Sequence, residues 1–284
     1  MLNRFTTYLS FVRFSHTVFA LPFALAGALL AARQVPVDWA TIAWILLAMV
    51  AARSAAMGFN RLVDARFDAL NPRTAAREIP RGAMSLGEAS VFVTVSSVVF
   101  VFAAWRLNTI CLVLSPVALA IVFWYSLAKR YTTWTQLYLG LAMAVAPVGG
   151  WLAVGGRGGW EPWLLGLAIG AWVGGFDVLY ACQDLEFDLA HGLRSIPVRF
   201  GVPAALAISR VMHLAAVAGL VGLAWVTPLP SFYFAGVAVV ALLLAYEQSL
   251  VRADDLSQVK RAFDMNGYVG ILYFVVLAIS IWQA

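Results

Sequence analysis

Charged residues are scarce in this chain. Only 12% of its 284 residues are Asp, Glu, Lys or Arg, and 63% are hydrophobic. Ordinary soluble domains have about 25% charged and about 45–50% apolar residues. The composition therefore excludes a typical soluble domain and indicates a chain that lies in a lipid bilayer. At this length we expect one integral membrane domain that covers residues 1–284.

Cysteine and histidine are also rare. Cys111 and Cys182 both fall in apolar runs, so we expect buried thiols and no disulfide. The three histidines are too scattered to predict a histidine metal site. The net charge of +5 raises the question whether the protein binds nucleic acid. However, the basic residues fall in loops between apolar runs, where they indicate membrane orientation and a phosphate-bearing ligand, and not binding to nucleic acid.

Long apolar runs dominate the remaining sequence. About 20 apolar residues are needed to cross the hydrocarbon core as a helix. By this measure the sequence predicts an all-α, polytopic membrane protein with nine transmembrane helices. They cover approximately residues 15–33, 38–59, 88–106, 108–128, 135–154, 160–182, 203–226, 230–250 and 266–283. Spans three and four are so close in sequence that we expect a tight helical hairpin between them.

The distribution of Lys and Arg predicts an orientation. If the N-terminus and the loops after spans two, four, six and eight share one side, all but three of the 19 basic residues fall there. The exceptions are Arg33, Arg106 and Arg157. Because basic loops stay in the cytoplasm, we expect a bacterial inner membrane protein with its polar loops cytoplasmic and its C-terminus outside.

The densest polar stretch follows span two. Asn60, Asp64 and Asp68 recur every four residues, so on a helix their side chains project from one face. Two carboxylates held in this way repel each other. Protonation, basic partners or a divalent cation relieves that repulsion. Since the ligands are hard oxygens, magnesium or calcium is the favoured metal.

A second acidic stretch follows span six. It contains Asp177, Tyr180, Asp184 and Asp188, and Arg194 comes shortly afterwards. The spacing of Asp184 and Asp188 repeats that of the first pair. Two acidic pairs, each after an apolar run and each followed by arginine, predict two similar helix ends that face one site.

These residues favour a metal-bridged diphosphate as the ligand. The expected metal ligands are Asn60, Asp64, Asp68, Asp184 and Asp188. The cations expected to hold phosphate oxygens are Arg73, Arg77, Lys129, Arg130 and Arg194. Magnesium neutralises both the carboxylates and the diphosphate, which explains why both signs of charge occur together. Because the rest of the bundle is apolar and aromatic, a diphosphate with a long hydrocarbon tail fits it.

Three motifs in this chain resemble those of the UbiA superfamily of intramembrane prenyltransferases. The first, N-x-x-x-D-x-x-x-D followed by R-T-x-x-R, is matched by Asn60, Asp64, Asp68, Arg73, Thr74 and Arg77. The second, D-x-x-Y-x-x-x-D-x-x-x-D, is matched by Asp177, Tyr180, Asp184 and Asp188. The third, Y-x-x-x-K-R-Y-T, is matched by Tyr125, Lys129, Arg130, Tyr131 and Thr132. Their order along the chain also agrees with the family.

The resemblance implies helices around a central cavity, Mg²⁺ as cofactor, and transfer of a polyprenyl group from its diphosphate to an aromatic acceptor. The catalytic residues it implies are Asp64, Asp68, Asp177, Asp184 and Asp188. Of these, Asp177 or Asp184 is the candidate base for the ring proton. A 4-hydroxybenzoate-like acceptor in ubiquinone or menaquinone biosynthesis is the first expectation.

The acceptor has an alternative. Quinone-pathway relatives often have Asn-Asp and Arg-Pro where this chain has Asn60-Arg61 and Arg77-Glu78. The opening segment, residues 13–23, also resembles a branch that includes enzymes of the futalosine route to menaquinone. A futalosine-pathway precursor is therefore the alternative acceptor.

Single residues carry further expectations. Arg53 lies inside span two, where an arginine costs about 2.5–3.5 kcal/mol by insertion measurements, so we expect it to contact the acceptor's acidic group or the diphosphate. Tyr125 and Tyr180 are expected to line the path of the prenyl cation, whereas Arg61 is expected to determine topology. Two alternatives stay open: surface carboxylates paired with arginines, and an ion-coupled transporter.

Overall fold

The computed structural model describes residues 2–12 and 14–284, without the side chains of residues 2, 3, 5 and 14–19. Arg13 and the side chains of most of the 13–23 segment therefore lie outside the description. The helices are α1 (Leu2–Phe11), α2 (Phe14–Ala31), α3 (Trp39–Leu70), α4 (Leu86–Leu107), α5 (Thr109–Ala128), α6 (Thr135–Val154), α7 (Glu161–Ala181), α8 (Leu185–Ala190), α9 (Ile196–Val226), α10 (Ser231–Ser249) and α11 (Val259–Gln283). A 3₁₀ turn, Cys182–Asp184, joins α7 to α8. The described residues contain no strand, which confirms the all-α class.

Eight of the described helical segments are long and apolar enough to cross a membrane. They are Trp39–Leu70, Leu86–Leu107, Thr109–Ala128, Thr135–Val154, Glu161–Ala190, Ile196–Val226, Ser231–Ser249 and Val259–Gln283. The first predicted span corresponds to α2, whose described apolar part, Ala20–Ala31, is shorter. The predicted count of nine is thus off by one on this measure, although the class is confirmed.

Several helices extend beyond their predicted ends. Span two was expected to end near residue 59, but α3 continues to Leu70. Hydropathy ends a span where polar residues begin, whereas the backbone remains helical as long as those residues occupy one buried face. For the same reason α11 begins at Val259 and not near residue 266. Span seven was expected to begin near residue 203, but α9 begins at Ile196 and has a kink at Gly201, where φ is 77°.

The described contacts divide the chain into two compact units, and the first comprises Met1–Val18 and Asp38–Leu127. The expected tight hairpin between spans three and four is present here. The Asn108 N–H donates to the Ala104 carbonyl at 3.2 Å, and Asn108 Oδ1 accepts from the Cys111 N–H at 2.9 Å. Asn108 therefore caps both the C-terminal end of α4 and the N-terminal end of α5.

Helix α1 packs against the rest of the first unit through an apolar cluster. Phe11 and Val12 pack with Met84 and Ala89 in a buried cluster. At the start of α4, Ser85 and Glu88 form a capping box, which satisfies backbone N–H groups at both the cap and the first turn. This packing holds the connection between α3 and α4 against α1.

The second unit comprises Phe19–Val37 and Ala128–Ala284, and α7 lies at its core. A Cβ atom on Gly140 of α6 would collide with the Gly170 carbonyl of α7, so glycine permits the two backbones to approach closely. On another side of α7, Trp172 Nε1 donates to Asn266 Oδ1 of α11 at 2.7 Å. These contacts fix the helix whose C-terminal end carries Asp177.

Candidate active site

The first acidic group occupies about the last three turns of α3. Asn60 Nδ2 donates to Asp64 Oδ2 at 3.2 Å. Asp64 and Asp68 are only 3% and 6% exposed. The four-residue spacing therefore places these side chains on one helical face, as predicted, and that face is turned away from solvent.

Asp68 is paired with an arginine from the segment after α3. Arg77 Nη1 lies 2.7 Å from Asp68 Oδ1 and 2.8 Å from Oδ2. Thr74 Oγ1 donates to the Asp68 carbonyl at 3.0 Å, so the segment folds back over the helix end. One alternative was that the acidic residues are surface carboxylates paired with arginines. Asp68 is indeed paired with an arginine, but Asp64 and Asp68 are buried and do not lie on the surface.

Two buried residues near this group were not predicted as site residues. Arg61, expected only to determine topology, is 4% exposed and lies three residues before Asp64 on α3. Glu78 is 5% exposed and follows Arg77 directly. Ser10 Oγ of α1 donates to Glu78 Oε1 at 2.5 Å. The available sequence signals were the helical spacing of Arg61 and the departure from the family pattern at Glu78.

Two more of the predicted site residues, Arg53 and Tyr125, lie in the first unit. Arg53 is inside α3, and Tyr125 is in the last turn of α5. The two are close enough to interact electrostatically. Arg53 Nε is buried and has no hydrogen-bond partner among the described residues. An arginine inside a membrane span whose Nε donor is buried and unsatisfied is well suited to bind an anion.

The second acidic group lies where α7 is followed by a 3₁₀ turn and then by α8. Asp177 is in the last two turns of α7, Asp184 ends the 3₁₀ turn, and Asp188 is buried in α8. Asp177 and Asp184 are close enough for their charges to interact. Because α3 is continuous and this segment is broken, the prediction of two similar helix ends is wrong in its local geometry.

Basic residues from a separate loop adjoin the second acidic group within the second unit. The Arg194 N–H donates to the Lys129 carbonyl at 2.7 Å, and Arg194 Nη1 donates to the Tyr131 carbonyl at 2.7 Å. The Leu193 N–H donates to the Asp188 carbonyl at 2.9 Å. The structure therefore ties the loop of Lys129 and Arg130 to the segment after α8. Part of the hydrogen-bonding capacity of Arg194 is used in this link.

The remaining predicted residues occupy different settings. Arg73 is exposed after α3, and its N–H donates to Asn71 Oδ1 at 3.0 Å. The Tyr180 ring packs against Phe263 of α11, with ring centroids 4.6 Å apart. Whether Tyr180 lines the path of a cation stays a prediction.

The donor set of α3 fits Mg²⁺. Among the side chains that the structure describes, no three His, Cys, Asp or Glu residues form a ready-made metal cluster. Magnesium, however, binds through one or two carboxylates together with substrate phosphates and waters. Asn60, Asp64 and Asp68 offer such hard oxygen donors on a single face.

Comparison with known proteins identifies the family. Residues 20–275 match the model of the UbiA prenyltransferase family. The chain belongs to this family. It is therefore an integral membrane prenyltransferase, which confirms the predicted enzyme class and decides against the transporter.

Curated relatives and solved structures agree with this assignment. The chain is 34% identical over 231 residues to 4-hydroxybenzoate octaprenyltransferase of Enterobacter sp. (strain 638), covering 81% of this chain and 80% of the relative. It is 31% identical over 253 residues to the enzyme of that name from Vibrio parahaemolyticus serotype O3:K6, with coverages of 89% and 88%.

The structural neighbours are UbiA homologues. The apo structure of a UbiA homologue from Aeropyrum pernix K1 has a TM-score of 0.86 and 37% identity, covering 93% of this chain and 98% of that one. A UbiA homologue from Archaeoglobus fulgidus bound to DMAPP and Mg²⁺ has a TM-score of 0.69 at 18% identity, with coverages of 96% and 99%. The second likeness is one of fold alone.

Proposed function

We propose that this prenyltransferase moves a polyprenyl group from its diphosphate to an aromatic acid of the 4-hydroxybenzoate type, in quinone biosynthesis and with Mg²⁺ as cofactor. The buried acidic face of α3, with Arg77 held against Asp68, is the observation that carries the proposal. The relatives named 4-hydroxybenzoate octaprenyltransferase support the choice of acceptor and donor.

In this proposal both acidic groups bind one metal-bound diphosphate. Asn60, Asp64 and Asp68 supply oxygens from the first group, and Asp184 and Asp188 from the second. When bound, Mg²⁺ supplies positive charge that stabilises the departing diphosphate. The protein's own contribution is to hold several carboxylates of like charge together in a buried place, where a cation compensates them.

The basic residues hold the diphosphate and favour its departure. Arg73, Lys129 and Arg130 donate to its oxygens, and Arg77 exchanges part of its contact with Asp68 for the ligand. Cleavage of the allylic C–O bond leaves the electron pair on the diphosphate and a positive charge on the prenyl carbon. The aromatic side chains Tyr125 and Tyr180 stabilise that charge, since the face of a ring attracts cations.

The acceptor ring then forms a C–C bond to the prenyl carbon and loses a proton. Asp177 or Asp184 takes that proton, because a carboxylate placed beside the reacting ring can act as a general base. Arg53 binds the acidic group of the acceptor or the diphosphate. The acidic and basic loops lie on the cytoplasmic side of the membrane in this proposal.

A membrane assay tests the function. Membranes containing the protein are given a polyprenyl diphosphate, an aromatic acceptor, and either Mg²⁺ or EDTA. We expect product only with the metal, and a loss of at least about a hundredfold in Asp64→Ala and in Asp184→Ala. Glu186→Ala, an exposed acidic residue beside the second group, is the control and should keep its activity.

A panel of acceptors distinguishes the two quinone routes. Prenylation of 4-hydroxybenzoate supports the proposal, whereas prenylation only of a futalosine-pathway precursor would move the enzyme to the alternative route. Product that forms equally well in EDTA, or full activity in both alanine variants, would contradict the proposed metal site.

A further inference from the structure

A cleft in the second unit lies outside the acidic groups. It has a volume of about 420 Å³ and lies between the N-terminal half of α9 and the C-terminal end of α10. The loop after α10 forms its rim. Arg210, Gln248, Ser249, Arg252 and Asp254 provide its polar lining. Because α10 ends there as a membrane span, the cleft opens near a membrane surface.

The charges of the cleft favour an anion. Arg210 is exposed and forms no hydrogen bond or ion pair with any group that the structure describes. Arg252 Nε lies 4.0 Å from Asp254 Oδ1, and both side chains are more than three-quarters exposed. A long ion pair in solvent is weak, so it leaves the Arg252 guanidinium able to bind another anion. Two guanidinium groups in one cleft suit a phosphate group.

The inner wall of the cleft carries a fixed and buried acceptor. Gln248 is 8% exposed, and its Nε2 donates to Ser209 Oγ at 2.7 Å and lies 3.0 Å from His213 Nδ1. Ser209 Oγ donates its own proton to the Gly175 carbonyl at 2.7 Å, so it must accept from Gln248. This fixes the orientation of the amide. Oε1 is then buried without a hydrogen-bond partner among the described residues.

The rim is held in place before any ligand binds. The N–H groups of Arg252 and Asp255 each donate to the other's carbonyl at 3.1 Å. Asp255 Oδ1 also accepts from the Ser257 N–H at 2.9 Å. A loop that is already ordered loses little conformational freedom on binding, so Arg252 is presented at the mouth of the cleft at low cost.

We propose that this cleft binds the headgroup of an anionic phospholipid that carries hydroxyl groups, with its phosphate on Arg210 and Arg252 and a headgroup hydroxyl donating to Gln248 Oε1. The lipid-facing surface of α9 argues for a lipid over free phosphate. Leu214, four residues after Arg210 and so on the same side of the helix, is 69% exposed, and the adjacent Val211 is 64% exposed. Acyl chains can therefore extend along α9 from the cleft. Basic pockets between transmembrane helices bind anionic headgroups in this way.

Lipid binding to the full-length protein tests the proposal. The detergent-purified protein is titrated with phosphatidylglycerol or phosphatidylcholine, and bound lipid is counted by native mass spectrometry. We expect preferential binding of phosphatidylglycerol, weakened about fivefold by Arg210→Gln and again by Arg252→Gln. Arg199→Gln removes an exposed arginine from the same helix outside the cleft, and it should bind like the unmodified protein.

Two further measurements separate the alternatives. Arg210→Lys keeps the charge but not the fork of donors, so it should bind less phosphatidylglycerol than the unmodified protein and more than Arg210→Gln. Millimolar inorganic phosphate should not displace phosphatidylglycerol. Equal binding of phosphatidylcholine, unchanged affinity in the double Gln variant, or displacement of the lipid by phosphate alone would each overturn the proposal.

Discussion

The pairing of Arg77 with Asp68 makes a quantitative prediction. Removing Arg77 by the substitution Arg77→Ala leaves a carboxylate that is nearly buried without its partner. Breaking a fully buried pair costs about 3–5 kcal/mol. The side chains here are 19% and 8% exposed, and water relieves part of that penalty. We therefore expect a loss of about 2–3 kcal/mol in the free energy of unfolding, near the range for hydrogen bonds to charged groups.

The second substitution, Asp68→Asn, should rescue part of this loss. In Arg77→Ala with Asp68→Asn neither residue of the pair is charged, so the double variant should be more stable than the sum of the two single losses predicts. We expect a coupling energy of about 1.5–2 kcal/mol. Reversible unfolding in mixed detergent micelles, with EDTA present so that no metal replaces the arginine, measures all four proteins.

Arg81→Ala is the matched control for this experiment, and additive losses would contradict the prediction. Arg81→Ala removes an exposed arginine from the same segment and should change stability by less than about 0.5 kcal/mol. If the losses of the two single variants add to within about 0.5 kcal/mol in the double variant, Arg77 and Asp68 do not stabilise each other, and the proposed compensation of charge is wrong.

Two further predictions concern packing and a buried hydrogen bond. Gly140→Ala should destabilise the protein by about 1–3 kcal/mol because its methyl group meets the Gly170 carbonyl. Gly149→Ala, which meets nothing within 4 Å, should not do so in the same unfolding assay. Ser10→Ala should cost about 1–3 kcal/mol, since it leaves the buried Glu78 carboxyl without its donor. A change of less than about 0.5 kcal/mol in Ser10→Ala would show that its hydrogen bond to Glu78 does not stabilise the fold.

The sequence predicts well those features of the fold and the site that depend only on residues close together in the chain. The spacing of Asn60, Asp64 and Asp68 specifies a shared face because the helical repeat acts over a few residues. The hairpin at Asn108 is equally local, since only the short stretch Arg106–Thr109 separates two long apolar runs. Both features could therefore be predicted without knowledge of any distant contact.

Features that depend on chain reversal could not be predicted. The contact of Arg77 with Asp68 requires the segment after α3 to fold back, and the contact of Glu78 with Ser10 requires α1 to pack there. Neither follows from a periodic pattern. The 3₁₀ turn that ends at Asp184 could not be predicted either, because the stretch from Asp177 to Asp188 contains no Pro or Gly to signal a break.

The central proposal is that both acidic groups bind one metal-bound diphosphate. Calorimetric binding of an unreactive prenyl thiodiphosphate, with Mg²⁺ or EDTA, tests it in the unmodified protein, Asp64→Asn, Asp184→Asn and the double variant. We predict that each single substitution removes most of the Mg²⁺-dependent affinity and that the double variant is little weaker, because residues that act as a unit are not additive. Undiminished Mg²⁺-dependent binding in either single variant would show that its acidic group does not hold this ligand.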